Sequence, residues 1–449
     1  MKSRGTLTLI IVLLAALLVL VACAQAPTPA EAPAKEEAPA EEKAPEAAAP
    51  VALRLWMHQS PGFNPAMQSL IDAYMAEHPD VTITMETFDY DTYIQTLQTA
   101  IPAGTEADIL HLFGSWVCSY AEGNSVLEVP AGVISVEEAR DVFFAAQVGG
   151  FICDDKLYGL PEEFNIEYGA ALVNTEIAAE AGLDNITAGW KDWDAFIADA
   201  QKLTVKEGDV ITRAGFHFTG SDGIATMFHS LILQNGGQYL TEDGYQVNTP
   251  EGMRTLELMK SFVDAGLIDP VLFNDDENWV GDSYFEETTA IGLVGPWVIP
   301  EYAGDFPEVV EKTAYVPLPV VGDRPVFAAA SGWGLTVSPN SKAQEAAWDF
   351  LKFAALDPNH AAQWNIESGT LPGLKANASG ENADKLVPAF PYFTSFLGLL
   401  QYGEYEGAFP DRDLVWYEIT YPRVLEFLQG GATAEETLET MEREVNESF

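Results

Sequence analysis

Positive charge is what this chain has least of. Only 22 Lys and Arg stand against 68 Asp and Glu in 449 residues, a formal net charge of −46 at pH 7. A field of that sign repels nucleic acid, anionic lipid and phosphorylated ligands, so no nucleic-acid partner is expected. The charge is read as a solvated acidic surface and says nothing about fold. The six His residues are scattered, with no H-E-x-x-H and no Cys/His cluster at ligand spacing, so no metal and no cofactor is expected. "NDDENWVGDSYFEE" (274–287) is rich in oxygen donors but lacks the glycine and spacing of a calcium loop, and is read as solvated. G-x-S-x-G, P-loop and G-x-G-x-x-G patterns are missing too, which removes the commonest signals for acyl transfer, phosphate cradling and dinucleotide binding.

Long apolar runs are also scarce. The one at Leu7–Ala22 follows Lys2 and Arg4, the layout of an export signal, and is short for a bilayer span. It ends in Leu20-Val21-Ala22-Cys23, which resembles a bacterial lipobox. That resemblance implies a signal peptide at 1–22 and a mature chain starting at Cys23, lipidated on its sulfur and amino group. The alternatives are a retained helix and ordinary cleavage beside an incidental cysteine. Residues 24–50 are almost only Ala, Pro, Glu and Lys, too poor in apolar side chains to offset the entropy of ordering, and are read with Cys23 as a tether segment, 23–50. Its reach runs from roughly 30 Å as a coil to roughly 85 Å extended. An exported, extracytoplasmic protein anchored to the cell membrane through lipid is expected, and stable anchoring needs two or more acyl chains. Cys118 and Cys153 are then an even pair in an oxidising compartment, either a disulfide or two buried thiols.

The remaining 400 or so residues are too many for one core and suit two lobes. "VALRLWM" (51–57), "VTITMETF" (81–88) and "DILHLF" (108–113) read as strands. Between them lie helical patterns, one opened by Asn64-Pro65 as cap and stopping before Pro79, another over Tyr93–Ile101, an alternation that argues for a mostly parallel sheet. Three helical patterns follow, at 190–203, 227–237 and 249–266. Strand signals return at 289–295 and 333–338, and Ser341…Gln344 and Thr433…Glu436 read as capping boxes opening helices 342–356 and 434–446. The fold class expected is α/β, with a first lobe made of discontinuous segments.

"KLYGLPEEFNIEYGAALVNTEIAAEAGL" (156–183), "TTAIGLVGPWVIPEY" (288–302), "SGWGLTVSPNSKAQEAAWDFLKFAA" (331–355) and "SGTLPGLK" (368–375) resemble, in order and spacing, the extracellular solute-binding proteins of ABC importers, most of all the sugar-binding branch that includes maltose-binding proteins. The resemblance covers roughly 51–449. It implies a two-lobed periplasmic-binding-protein fold with a multi-crossing hinge, lobe 1 being 51–162 plus 327–365 and lobe 2 being 163–326 plus 366–449. The crossings fall near Glu163–Tyr168, 326–332 and Trp364–Leu371. It implies as partners a sugar or oligosaccharide and the transmembrane subunits of an ABC permease, and a protein that is a monomer.

In such sheets ligands lie beyond the carboxyl ends of strands, so the loops after the first and third strands supply His58, Ser60, Ser115 and Trp116. A sugar wants an aromatic on its apolar face and carboxylates or amides on its rim. Trp297 and Trp416 are similar in position to family tryptophans that stack on sugar, and Trp333 lies beside the second crossing. Glu163 and Asn165 lie beside the hinge, and Ser221 and Asp222 are placed in a strand-end loop, "FTGSDG" (218–223). Trp279 and Trp364 are assigned to packing. Maltose binders place Asp and Lys or Arg where this chain has Ser60, Pro61, Ser115 and Trp116, a departure that argues against maltodextrin. The expectation is a protein that is not an enzyme. The rivals are a secreted glycoside hydrolase, using the pairs Glu162/Glu163 or Asp275/Asp276, and a ligand-sensing partner of a membrane receptor.

Overall fold

Three parallel strands and one that runs against them decide where the site lies. The computed structural model describes residues 50–449; the export segment 1–22, Cys23 and the stretch 24–49 lie outside the described residues. Strand β1 (Val51–His58) pairs in parallel with β2 (Val81–Phe88) on one side and β3 (Ile109–Phe113) on the other. The strand Trp333–Val337 pairs antiparallel with β3, Trp333 opposite Phe113, and the short strand Leu160–Pro161 closes the sheet. Because the fourth strand is reversed, its first residue arrives where β1 and β3 end. His58, Phe113 and Trp333 therefore share one edge of the sheet, although over 200 residues separate the last two.

Helix α1 (Phe63–Glu77) covers this sheet with Met67, Leu70, Ile71 and Tyr74, the apolar face its spacing predicts. Its start differs from expectation. Gly62 is the cap position, and Asn64 lies within the first turn with its Oδ1 accepting from the Ser60 N–H at 3.2 Å. Helix α2 (Tyr90–Ala103) begins three residues earlier than expected because Asp89 caps it, accepting from the Thr92 N–H at 3.0 Å. Residues 113–120, read as a loop, are mostly helix: α3 (Gly114–Glu122) follows β3 directly, and Cys118 on it is disulfide-bonded to Cys153.

In the second lobe, strand Ala170–Asn174 lies between Ile291–Gly292 and Thr313–Pro317, antiparallel to both. The surrounding helices include Trp193–Leu203, Ser221–Gln234 and Pro250–Asp264, so two of the three expected helical patterns hold their register and one starts six residues earlier. Thr433 and Glu436 form the expected capping box of Ala434–Ser448. Ser341 and Gln344 do not: Ser341 Oγ accepts from the Ala343 N–H at 3.2 Å, an ST-type turn, and the helix begins at Gln344.

Two apolar cores result. Apart from Ala146 and Leu374, each of which packs in the other core, membership passes from the first to the second between Leu160 and Phe164, back between Ala329 and Trp333, and again between Trp364 and Leu371. The three crossing segments are tied together by backbone pairing, Phe164 with Leu371 and Asn165 with Ala330. Such ladders are short and sit between two large cores, the arrangement that bends as a hinge. Among the described residues no helix is long and apolar enough to cross a membrane.

Candidate functional site

A cavity of about 440 Å³ opens between the two cores, against the ends of both sheets. From the first lobe it receives His58, Ser60, Phe63, Tyr90, Phe113 and Trp333; from the second, Asp222, Trp279, Trp297, Glu301, Arg412, Asp413 and Tyr417; and Glu163, Asn165 and Glu167 come from the first crossing.

The first-lobe wall is aromatic. The Trp333 ring lies 5.0 Å from the His58 ring, packs edge-on against Trp116 at 5.4 Å and stacks at 5.1 Å on the fully buried His111 behind it. Burial first, and then the neighbouring His111, pull the His58 pKa down to about 4, so this wall carries no cation at neutral pH. His111 is in turn held neutral by burial, near 3, with the Glu162 carboxyl 3.2 Å away and also fully buried.

The second wall is built around Glu167. The residue precedes strand Ala170–Asn174, whose antiparallel neighbour leads into Gly295-Pro296-Trp297, so the topology delivers Glu167 to that turn. Its Oε2 accepts from the Gly295 N–H and its Oε1 from the Trp297 indole N–H, both at 2.6 Å. Trp297 thus has one edge fixed and its face against Trp279, rings 6.0 Å apart and inclined by 28°. Glu167 is pushed up to about 7 by burial first and Asp222 second, against the pull of its hydrogen bonds to Trp297, Gly295 and Asn165.

Glu163 is also buried, and its Oε1 accepts from the Trp333 N–H at 3.2 Å. Burial raises it to about 8, opposed by that hydrogen bond and assisted by Glu167 and Glu162. Ser221 and Asp222 are not in a loop. They open the helix Ser221–Gln234, where Asp275 Oδ2 accepts from the Ser221 N–H at 2.9 Å and Asp222 Oδ1 accepts from the Tyr417 hydroxyl at 2.9 Å.

Of the residues singled out in sequence, His58, Ser60, Glu163, Asn165, Ser221, Asp222, Trp297 and Trp333 come together around the cavity. Three do not line it. Ser115 has a buried hydroxyl with no partner. Trp116 sits just behind the wall and reaches across, its indole N–H donating to Asp413 Oδ2 at 3.0 Å. Trp416 is 0% exposed, stacked on His229 at 4.4 Å in the second core, with the Arg412 guanidinium 4.7 Å from its ring. The reason is a π-helical stretch, Leu414–Thr420, which turns Trp416 inward and Tyr417 outward. Trp364 is core, as expected, but Trp279 lines the cavity.

Sequence reading missed Tyr90, Glu167, Glu301, Arg412, Asp413 and Tyr417. Of these, Glu167 alone lay within a segment already marked as the first crossing. Arg412 had a weaker signal, as the one cation in the acidic stretch 404–418. Its Nε donates to Glu406 at 3.2 Å, its Nη1 donates to Asp413 at 3.5 Å and to the Tyr417 hydroxyl oxygen at 2.9 Å, and its Nη2 lies 3.6 Å from Asp222. The carboxylate pairs considered for hydrolysis do not face one another across the space. Glu162 points to His111, and Asp275 holds the Ser221 helix start. Among the described residues no cluster of three metal-ligating side chains occurs.

The family model of bacterial extracellular solute-binding proteins matches residues 60–361. The chain belongs to that family. Solute-binding relatives include a maltotriose-binding protein of Pyrococcus abyssi, 25% identical over 330 residues, which cover 71% of this chain and 66% of that one. A binding protein of Brucella abortus is 25% identical over 316 residues, 70% of this chain and 74% of the other. Among solved structures, the cyclic alpha-maltosyl-1,6-maltose binding protein of Arthrobacter globiformis superposes with a TM-score of 0.72 at 24% identity, covering 89% of this chain and 99% of its own. A maltose-bound protein of T. maritima gives 0.71 at 18%, covering 89% and 100%. These likenesses show the two-lobed fold of periplasmic binding proteins.

Proposed function

We propose that this solute-binding protein captures a sugar or oligosaccharide between its lobes and hands it unchanged to the transmembrane subunits of an ABC permease, held near the membrane by lipid on Cys23. One observation carries the reading: indoles line the cavity from both lobes, Trp333 from one and Trp279 with Trp297 from the other, with carboxylates and an amide among them. A pyranose has two apolar faces and a hydroxyl rim, and this is the complement it requires. The names of the Pyrococcus and Arthrobacter relatives, both saccharide binders, support the same class. The lobes are 51–162 plus 327–365 and 163–326 plus 366–449, and the free energy of closing them comes from contacts a ligand makes with both.

Binding without chemistry is supported by what the carboxylates already do. Glu163 and Glu167 hold backbone and indole N–H groups. A thermal-shift screen of the protein against mono- and oligosaccharides tests the reading, because a ligand of the folded form raises the melting point. A sugar should do so and be recovered intact. If amino acids or polyamines shift it and no carbohydrate does, the substrate class is wrong; if the sugar is recovered cleaved, the protein is an enzyme.

A further inference from the structure

The cavity holds more carboxyl groups than the protein's own cations answer. Glu163, Glu167, Asp222, Glu301 and Asp413 line it with one cation, Arg412. That guanidinium is committed: it lies 3.2 Å from Glu406, 3.5 Å from Asp413 and 3.6 Å from Asp222, and Glu406 is not part of the lining. No lysine reaches the lining, and His58 is held neutral by burial.

Glu163 and Glu167 are the sharpest case. They are 4% and 5% exposed, close enough to repel one another, and among the described residues neither has an ion-pair partner. Only one oxygen of Glu163 receives a donor from the protein, the Trp333 N–H. Burial without a counter-charge disfavours their ionised form, and a counter-charge brought by a ligand restores it. Hydroxyl groups answer their hydrogen-bonding capacity but not their charge; an ammonium group answers both.

Building on the sugar-binding reading, we propose that the preferred ligand is a saccharide with a free amino group, its ammonium held by Glu163, Glu167 and Asp222, and that uronates and phosphorylated sugars are rejected.

Calorimetric titration of the full chain at low ionic strength tests this. The probes are glucosamine, galactosamine and mannosamine with their short oligomers, each beside its N-acetylated form, its parent neutral sugar and the corresponding uronate. At least one amino form should bind about tenfold tighter than its acetylated and neutral counterparts, and uronates should not bind. Glu163→Gln should bring the amino and neutral forms within about threefold of each other. Asp222→Asn, at the more exposed carboxylate, should narrow the same gap if the first variant folds poorly. A neutral sugar or uronate that binds as tightly as its amino counterpart overturns this inference and leaves the sugar-binding reading standing. Failure of every saccharide to bind overturns both.

Discussion

The two walls of the cavity are made by different devices. The first-lobe wall is a by-product of sheet register: β1 and β3 end together, the reversed strand starts there, and His58, Phe113 and Trp333 follow without further instruction. It is aromatic and carries no charge at neutral pH. The second-lobe wall is assembled from a helix start, a turn after a strand and a π-helical segment, bringing Asp222, Trp297 and Arg412 together from positions nearly 200 residues apart. It holds most of the charge. A wall defined by a sheet edge is stiff and changes little with substitution, whereas one assembled from separate loops can be retuned piece by piece. Specificity is therefore expected to reside in the second lobe, through Trp297 as well as the charges, with an uncharged aromatic wall supplied by the first.

The strongest way to break this contrast concerns Trp416, which sequence resemblance places on the ligand and the structure places in the core. Trp416→Ala should destabilise the second lobe by about 3–5 kcal/mol through the cavity it leaves, seen as a lowered melting point and faster amide exchange in that lobe. A loss of sugar affinity with unchanged melting would return Trp416 to the site. Next comes Trp297→Ala, which removes a stacking face and leaves Glu167 with a lost donor; affinity should fall by about 30-fold, measured by titration calorimetry, with a smaller effect for Tyr90→Ala on the opposite wall. Equal effects would erase the assigned division of labour.

A pH series sharpens the electrostatic side. Glu163 and Glu167, held near 8 and 7 in the folded protein, are raised above the ordinary value of 4.5. A raised acid stabilises the fold while protonated, and that contribution is lost as pH climbs through the folded value. The buried histidines act in the opposite sense. His58 and His217 near 4, and His111 and His229 near 3, withdraw stability as pH falls below their ordinary 6.5. Above about pH 7.5 the histidines are almost fully neutral in both states while Glu163 is still losing its proton, so from there to about pH 9 the melting point of the ligand-free protein should fall by a few degrees, and Glu163→Gln should flatten the slope. A flat wild-type profile there would mean the two carboxyls are already ionised. The smallest effect is expected from Trp116→Phe, which deletes the one indole hydrogen bond from α3 to Asp413 across the cleft. About 1 kcal/mol of closure should disappear, shifting X-ray scattering of the ligand-free protein toward the open form; no shift would show that the bond does not bias the lobes.

Local signals made much of the first lobe readable. Strand Val81–Phe88 has the bounds read from its sequence, and α1 shows its buried face in the spacing of Met67, Leu70, Ile71 and Tyr74. Caps were less secure: Thr433…Glu436 forms its reciprocal pair while Ser341…Gln344 does not, because the backbone at Ser341 turns before the helix starts. Trp297 was singled out through the family resemblance of its Gly-Pro-Trp segment, the same ground that misplaced Trp416. Glu167, Arg412 and Tyr417 were not, since their relevance depends on which distant segment they meet.

What the chain's residues determined alone was periodicity, the acidic balance and the order of the family-like segments, because these depend on neighbours within one or two turns. Which tryptophan faces the ligand, which acid has a cation and which lies bare were settled only by tertiary structure. Burial and charge pairing are properties of a residue's surroundings in space, and here those surroundings come from strands and helices hundreds of positions away.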